Sequence, residues 1–267
     1  MDWDEMARPW LAAAPDLEIA LGPVLGALHE AAGLGPGEKV LDVGSGTGPS
    51  LLAAAQAVGP TGRVTGVDIA PPLLARAAER VPAHVDLITA DAESHPFEPG
   101  AYDVVQANFG VMFFADSTAA FANLRRAVRP GGRFAATVWG GPADNPWFSL
   151  PRRIVDETVS DVPRPDPSGP GPMRFAEVAE LERLLTATGW APSVQTRDLA
   201  LTPPGPPSQV AQLLMTVNVG MMLKGIEATT PQLEAIETAL TEALAAFDQT
   251  DQIAIPARIH VVTAQAI

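Results

Sequence analysis

The run Lys39-Val40-Leu41-Asp42-Val43-Gly44-Ser45-Gly46-Thr47-Gly48 constrains this chain more than any other feature. It reads as a short apolar strand, a turn with three glycines and the approach to a helix over 51–58. Glycine permits positive φ and lets another group come close to the backbone. A turn of this kind, between a strand's carboxyl end and a helix N-terminus, can hold a ligand; standing alone, it can also be a tight turn and nothing more. The alternation then continues, with strands expected over 62–67, 85–90, 102–107 and 133–139 and helices over 73–80 and 117–128. Pro71 and Pro72 suit a first helical turn, whose N–H groups lack partners in any case, and Asp116 is placed to cap the next helix. Strands and helices alternating at this length indicate an α/β protein with a parallel sheet covered on both faces.

The flanks are less regular. Residues 2–34 read as helical but cut into short pieces by Pro9, Pro15 and Pro23. Beyond Trp139, residues 140–172 are rich in proline and glycine around one helix over 148–159. A helix stopped by Gly189, a strand over 193–201, a proline break at 203–207, helices over 209–224 and 231–247 and a strand over 252–263 complete the pattern. No internal repeat and no clear linker divides the chain. The organisation expected is a helical cap over 1–37, a ligand-binding core over 38–140, and a remainder of the same sheet, 141–267, carrying inserted helices.

Charge and composition narrow the function. Among 267 residues, 17 are basic and 31 acidic, a net charge of −14. Nucleic acid is therefore an unsuitable partner, because gripping a phosphate backbone needs clustered Lys and Arg. With no cysteine, the chain has no disulfide, thiol nucleophile or thiolate metal site, and no metal is expected. The acidic start lacks the basic lead of a signal peptide, and no apolar stretch is long enough to span a bilayer. A cytoplasmic protein working without a membrane is the expectation.

Three carboxylates sharpen the picture. Asp42 precedes the first glycine by two residues; a carboxylate there repels a pyrophosphate and welcomes an ammonium group. Asp68, twenty residues after Gly48, ends the second strand, where it can accept from both hydroxyls of a ribose or simply cap the helix opening at Pro71. Asp91 ends the third strand, where it can accept from an exocyclic amine such as adenine's or close a local turn. Together with the glycine turn they describe a pocket for adenine, ribose and an amino acid.

These residues carry a resemblance. Val40 to Gly48 resembles the first motif of class I methyltransferases that use S-adenosyl-L-methionine (SAM). Gly66-Val67-Asp68-Ile69, Asp91-Ala92-Glu93, Tyr102-Asp103-Val104-Val105 and Arg129-Pro130-Gly131-Gly132-Arg133 resemble the later motifs in order and spacing. The likeness covers about residues 38–140 and is nearest to the bacterial small-molecule enzymes of the ubiquinone-biosynthesis-like (type 11) group. It implies a Rossmann-like fold: a seven-stranded, mostly parallel sheet with its last strand antiparallel, helices on both faces and a helical lid insertion. It further implies that Gly44, Ser45, Gly46 and Gly48 cradle the methionine part of SAM and that Asp42 helps place its ammonium. Asp68 and Ile69 would meet the ribose, Asp91 and Ala92 the adenine, and Asn108 and Phe109 the reacting methyl. Trp3 or Trp10 could cover the site.

Methyl transfer from a sulfonium is an in-line displacement in which the protein mainly positions the nucleophile. No dedicated base is obligatory, and none stands out: Asn108, Asp144 and Asn145 are the candidates, whereas His29, His84 and His260 read as structural. Met112, Phe113, Trp139, Trp147, Met215 and Met222 form the candidate acceptor pocket, apolar and adaptable through its thioethers. The expected activity is transfer of a methyl group from SAM, leaving S-adenosyl-L-homocysteine (SAH), to a small hydrophobic or aromatic molecule. Oxygen is the first choice of acceptor atom, with carbon or nitrogen open; the acidic surface favours a neutral or cationic acceptor, and the enzyme would be a monomer or homodimer. Two rivals remain: a SAM-binding enzyme of cyclisation or rearrangement, and an NAD(P)-dependent oxidoreductase, whose third glycine should come one residue later.

Overall fold

Seven strands form one sheet: β1 (Lys39–Val43), β2 (Arg63–Asp68), β3 (Val85–Thr89), β4 (Tyr102–Asn108), β5 (Val128–Trp139), β6 (Trp190–Leu201) and β7 (Ile255–Ala266). The computed structural model describes residues 3–166, 168–250 and 252–267, with side chains from Ala7 onward. The strand order is β3-β2-β1-β4-β5-β7-β6. The pairs β3/β2, β2/β1, β1/β4 and β4/β5 are parallel, and β7 runs antiparallel to both β5 and β6. β1 and the middle of β4 are buried on both faces, which is why they read as continuous apolar runs rather than alternating ones.

Helices α1 (Trp3–Ala20), α2 (Gly22–Ala32), α3 (Pro49–Val58), α4 (Pro71–Ala78) and α5 (Ser117–Ala127) accompany the first half. Prolines open α3 and α4, and the Asp116 carboxylate caps α5 by accepting from the Ala119 N–H at 3.0 Å. On one face, Val40 and Val104 pack with Leu51, Ala54 and Val58 of α3. On the other, Phe121, Phe134, Phe175 and Trp190 are fully buried, and the Trp190 indole N–H donates to the Phe121 carbonyl at 3.1 Å.

The N-terminal reading needs correction. Pro9 and Pro15 lie inside a single helix, and the chain turns only at Leu21. An interior proline costs a helix roughly 3 kcal/mol; here Ala13, Ala14, Leu17 and Ala20 bury one face of α1, and that packing offsets the loss.

Insertions fill the second half. α6 (Pro146–Thr158) and α7 (Val178–Ala187) lie between β5 and β6. α8 (Pro207–Leu214), a π-helical turn (Met215–Val219), a last helical turn (Gly220–Met222) and α9 (Thr230–Leu244) lie between β6 and β7. The connection from β6 leaves at the same end of the sheet as the carboxyl ends of β1, β2 and β4, where the glycine turn also lies. α1 reaches from α4 to the π-helical turn. Among the described residues no single helix is long and apolar enough to cross a membrane.

Candidate functional site

In a sheet of this order, the crevice lies where the chain direction of winding reverses, outside the carboxyl ends of β1 and β4. The glycine turn sits there. Gly44, Gly46 and Gly48 have φ of 68°, 54° and 96°, a conformation side chains rarely adopt. Gly44 is also one half of a close approach: a Cβ on it would lie 2.8 Å from the Gly110 Cα, and one on Gly110 only 2.4 Å from the Val43 carbonyl oxygen. Two glycines therefore let the loops after β1 and β4 touch.

Under the turn lies a set of buried polar atoms without partners. Both carboxylate oxygens of Asp42, the Ser45 hydroxyl and the Gln106 side-chain carbonyl are buried and unpaired. Desolvation pushes the Asp42 carboxyl up to about 7, only partly countered by the nearby polar groups of Ser50 and Gln106. Orphaned buried polar groups are costly; three beneath one turn fit a site completed by a ligand carrying positive charge and hydrogen-bonding groups.

Asp68 works in a way its sequence position did not reveal. One oxygen accepts from the Gly46 N–H at 2.8 Å and the other from the Ala70 N–H at 2.9 Å. Burial raises its pKa against these bonds. The carboxylate thus pins the glycine turn while keeping lone pairs for a diol. Beside it, Ile69 is 49% exposed, an apolar surface at the cleft. Asp91 is exposed and accepts from the Glu93 N–H at 2.9 Å, closing a local turn, while Ala92 is buried and its carbonyl accepts from the Asn123 amide.

At the end of β4, Asn108 is half-buried and its side-chain oxygen accepts from the Thr137 hydroxyl at 2.7 Å. Phe109 follows at φ 63°, left-handed and strained for a side-chain-bearing residue. Its ring stacks on Trp139 with centroids 4.2 Å apart, and Phe148 meets Trp139 edge-on at 5.1 Å.

Several expected roles are corrected. Asn145 is fully buried: its amide N–H groups donate to the Gly141 and Arg258 carbonyls and its oxygen accepts from the Arg258 N–H, so the loop consumes it. Asp144 pairs with Arg258 at 3.0 Å, in a groove it shares with Asp198 and Pro256. Neither joins Asp42 and Asn108. Met112 is 1% exposed, Trp147 4% and Trp139 5%, which makes all three core rather than lining. Phe113, Met215 and Met222 are half-buried. The Trp3 side chain lies outside the described residues; Trp10 is half-buried against Ala70 and Leu73 of the cofactor side. His84 and His260 bond to carbonyl groups of Ala55 and Ala176, as structural histidines do.

Sequence reasoning missed Gln106, Thr137, Glu18 and Arg80. A lone amide in Val104-Val105-Gln106-Ala107 was a readable signal, since a buried strand seldom carries one without purpose. Glu18 and Arg80 gave none. The Arg80 guanidinium grips Glu18 at 2.6 and 2.8 Å and donates to the Thr47 carbonyl, while the Thr47 hydroxyl donates to Glu18 at 2.6 Å. Burial pushes the Glu18 pKa up, but the bonds from Arg80 and Thr47 outweigh it and hold the group below the usual range. This clasp fastens α1 to the glycine turn.

Residues 40–132 match the methyltransferase domain family. This segment is a methyltransferase domain. It is 39% identical over 127 residues to the nocamycin O-methyltransferase of Saccharothrix syringae, 45% of this chain and 44% of that one. It is 38% identical over 105 residues to the aklanonic acid methyltransferase DauC of Streptomyces sp. (strain C5), 38% of this chain and 48% of that one. The alignments span less than half the length of these relatives. The crystal structure of YcgJ from Bacillus subtilis, 19% identical, superposes with a TM-score of 0.57 over 91% of this chain and 97% of its own, which extends the common fold beyond the methyltransferase domain.

Proposed function

We propose that this chain is a SAM-dependent methyltransferase acting on a small hydrophobic or aromatic molecule, with oxygen as the acceptor atom. The observation that carries the reading is the fully buried, unpaired Asp42 carboxylate beneath a glycine turn that Asp68 holds in place. A cationic amino-acid ligand satisfies that carboxylate; a dinucleotide's pyrophosphate does not, which argues against the oxidoreductase. In this reading Gly44, Ser45, Gly46 and Gly48 hold the methionine part, Asp68 and Ile69 the ribose, and Asp91 and Ala92 the adenine.

When bound, SAM supplies an electrophilic methyl carbon and a thioether leaving group. The chain's residues orient and exclude water. Phe109, backed by the buried Trp139 on which it stacks, offers an aromatic wall, Phe113, Met215 and Met222 an adaptable apolar lining, and α1 with the π-helical turn a cover. Positioning of this kind can lower a barrier by roughly 7–11 kcal/mol. An easily ionised phenol or carboxylic acid needs no base. The alignment with the nocamycin O-methyltransferase supports the choice of oxygen. With the reading goes a division into cap, core and lid over 1–37, 38–140 and 141–267, and a cytoplasmic monomer or homodimer acting without nucleic acid or membrane.

The test is incubation with methyl-labelled SAM and a panel of aromatic phenols and carboxylic acids. One SAH released per labelled product is expected. Product formed without SAH would instead favour a cyclisation or rearrangement, and turnover requiring NAD(P) would overturn the reading.

A further inference from the structure

Asn108 and Thr137 face each other across parallel strands, in register, where β4 and β5 end. Thr137 is fully buried, and among the described residues its hydroxyl donates to the Asn108 side-chain oxygen at 2.7 Å. Turning the amide over would leave that buried hydroxyl without this acceptor, a penalty the observed orientation avoids. The Asn108 oxygen is therefore committed, and its two N–H groups, which donate to no described protein group, are what the cleft receives.

The neighbourhood says what they meet. Side chains two residues apart on a strand share a face. Asn108 thus lies on the face of Gln106, whose amide N–H donates to the Ser50 carbonyl, and Gln106 is in register with Asp42. One face, at one crevice, presents an unpaired acceptor on β1 and, about 7 Å further along the neighbouring strand, a pair of oriented donors. An α-amino acid head carries the complementary pair, an ammonium and a carboxylate on one carbon.

Building on the proposed SAM site, we infer that Asn108 binds the carboxylate of the cofactor's amino-acid end and that Thr137 is a positioning residue that fixes the Asn108 amide for it. The two act as a reader that separates SAM and SAH from adenosyl compounds lacking the amino-acid end.

Titration calorimetry of the full chain with SAH and with 5′-methylthioadenosine, which has no amino-acid head, tests this. Asn108→Asp keeps an acceptor for Thr137 but replaces the donors by a like charge; it should weaken SAH binding on the order of 10–100-fold and leave methylthioadenosine binding unchanged. Thr137→Val should cost SAH on the order of 3–10-fold, again without effect on methylthioadenosine, and Thr137→Ser should restore it. Equal losses for both ligands, or wild-type SAH affinity in Asn108→Asp, would overturn the assignment. Failure of the wild-type chain to bind either ligand would instead refute the SAM site on which it rests.

Discussion

Asp42 concentrates the chemistry in one side chain. Its carboxyl titrates at about 7 instead of 3.8 because burial penalises the charge. A raised acid pKa means that the folded state holds its proton more tightly than the unfolded state. The associated stability is complete below 3.8 and lost as pH rises through about 7. Asp42→Asn, neutral throughout, should be nearly as stable as wild type at about pH 4 and clearly more stable at about pH 8, in the absence of ligand. Urea unfolding at the two values reads this directly; a constant difference would show that Asp42 does not titrate in that window. Asp68 holds the turn and, in the proposed site, the ribose; Asp68→Ala should weaken SAH affinity by roughly 1–3 kcal/mol, measured by calorimetry, while also loosening the turn through loss of the Gly46 N–H bond. Its place at a strand end was legible; its grip on Gly46 was not, because 22 residues separate the two and nothing local signals the bond.

Elements whose signals are local were legible throughout. The strands β1 to β5 are apolar runs bounded by turn residues, and the prolines of α3 and α4 and the Asp116 cap act within one helical turn. The N-terminal helix was misread because the burial that offsets Pro9 and Pro15 comes from distant partners. The acceptor side was misread for the same reason. Met112 falls in a 3₁₀ turn (Gly110–Phe113) that faces the core, and its carbonyl accepts from the Gly171 N–H at 3.0 Å, a contact between insertions that no spacing encodes. The contact of the loops after β1 and β4 gives a prediction at this scale. Gly110→Ala places a methyl 2.4 Å from the Val43 carbonyl and should destabilise the fold by about 1–3 kcal/mol. Gly46→Ala has open space and should cost about 1–2 kcal/mol for its positive φ alone. Thermal unfolding of the two variants compares them; a neutral Gly110→Ala would mean that the two loops do not touch.

For the molecule as a whole, the sheet brings the ends of β1, β2 and β4 to one crevice, and the N-terminal helix is fastened beside it. The clasp of Glu18, Arg80 and Thr47 ties the first helix to the turn beneath it, and the lid helices arrive from the β6–β7 connection. A chain of net charge −14 carries a crevice whose buried, unpaired Asp42 carboxylate calls for a cation. Titrating the full chain with SAH and, separately, with NAD is the most direct test of that claim. The account predicts saturable one-to-one binding of SAH and none of NAD; binding of NAD with none of SAH would contradict it.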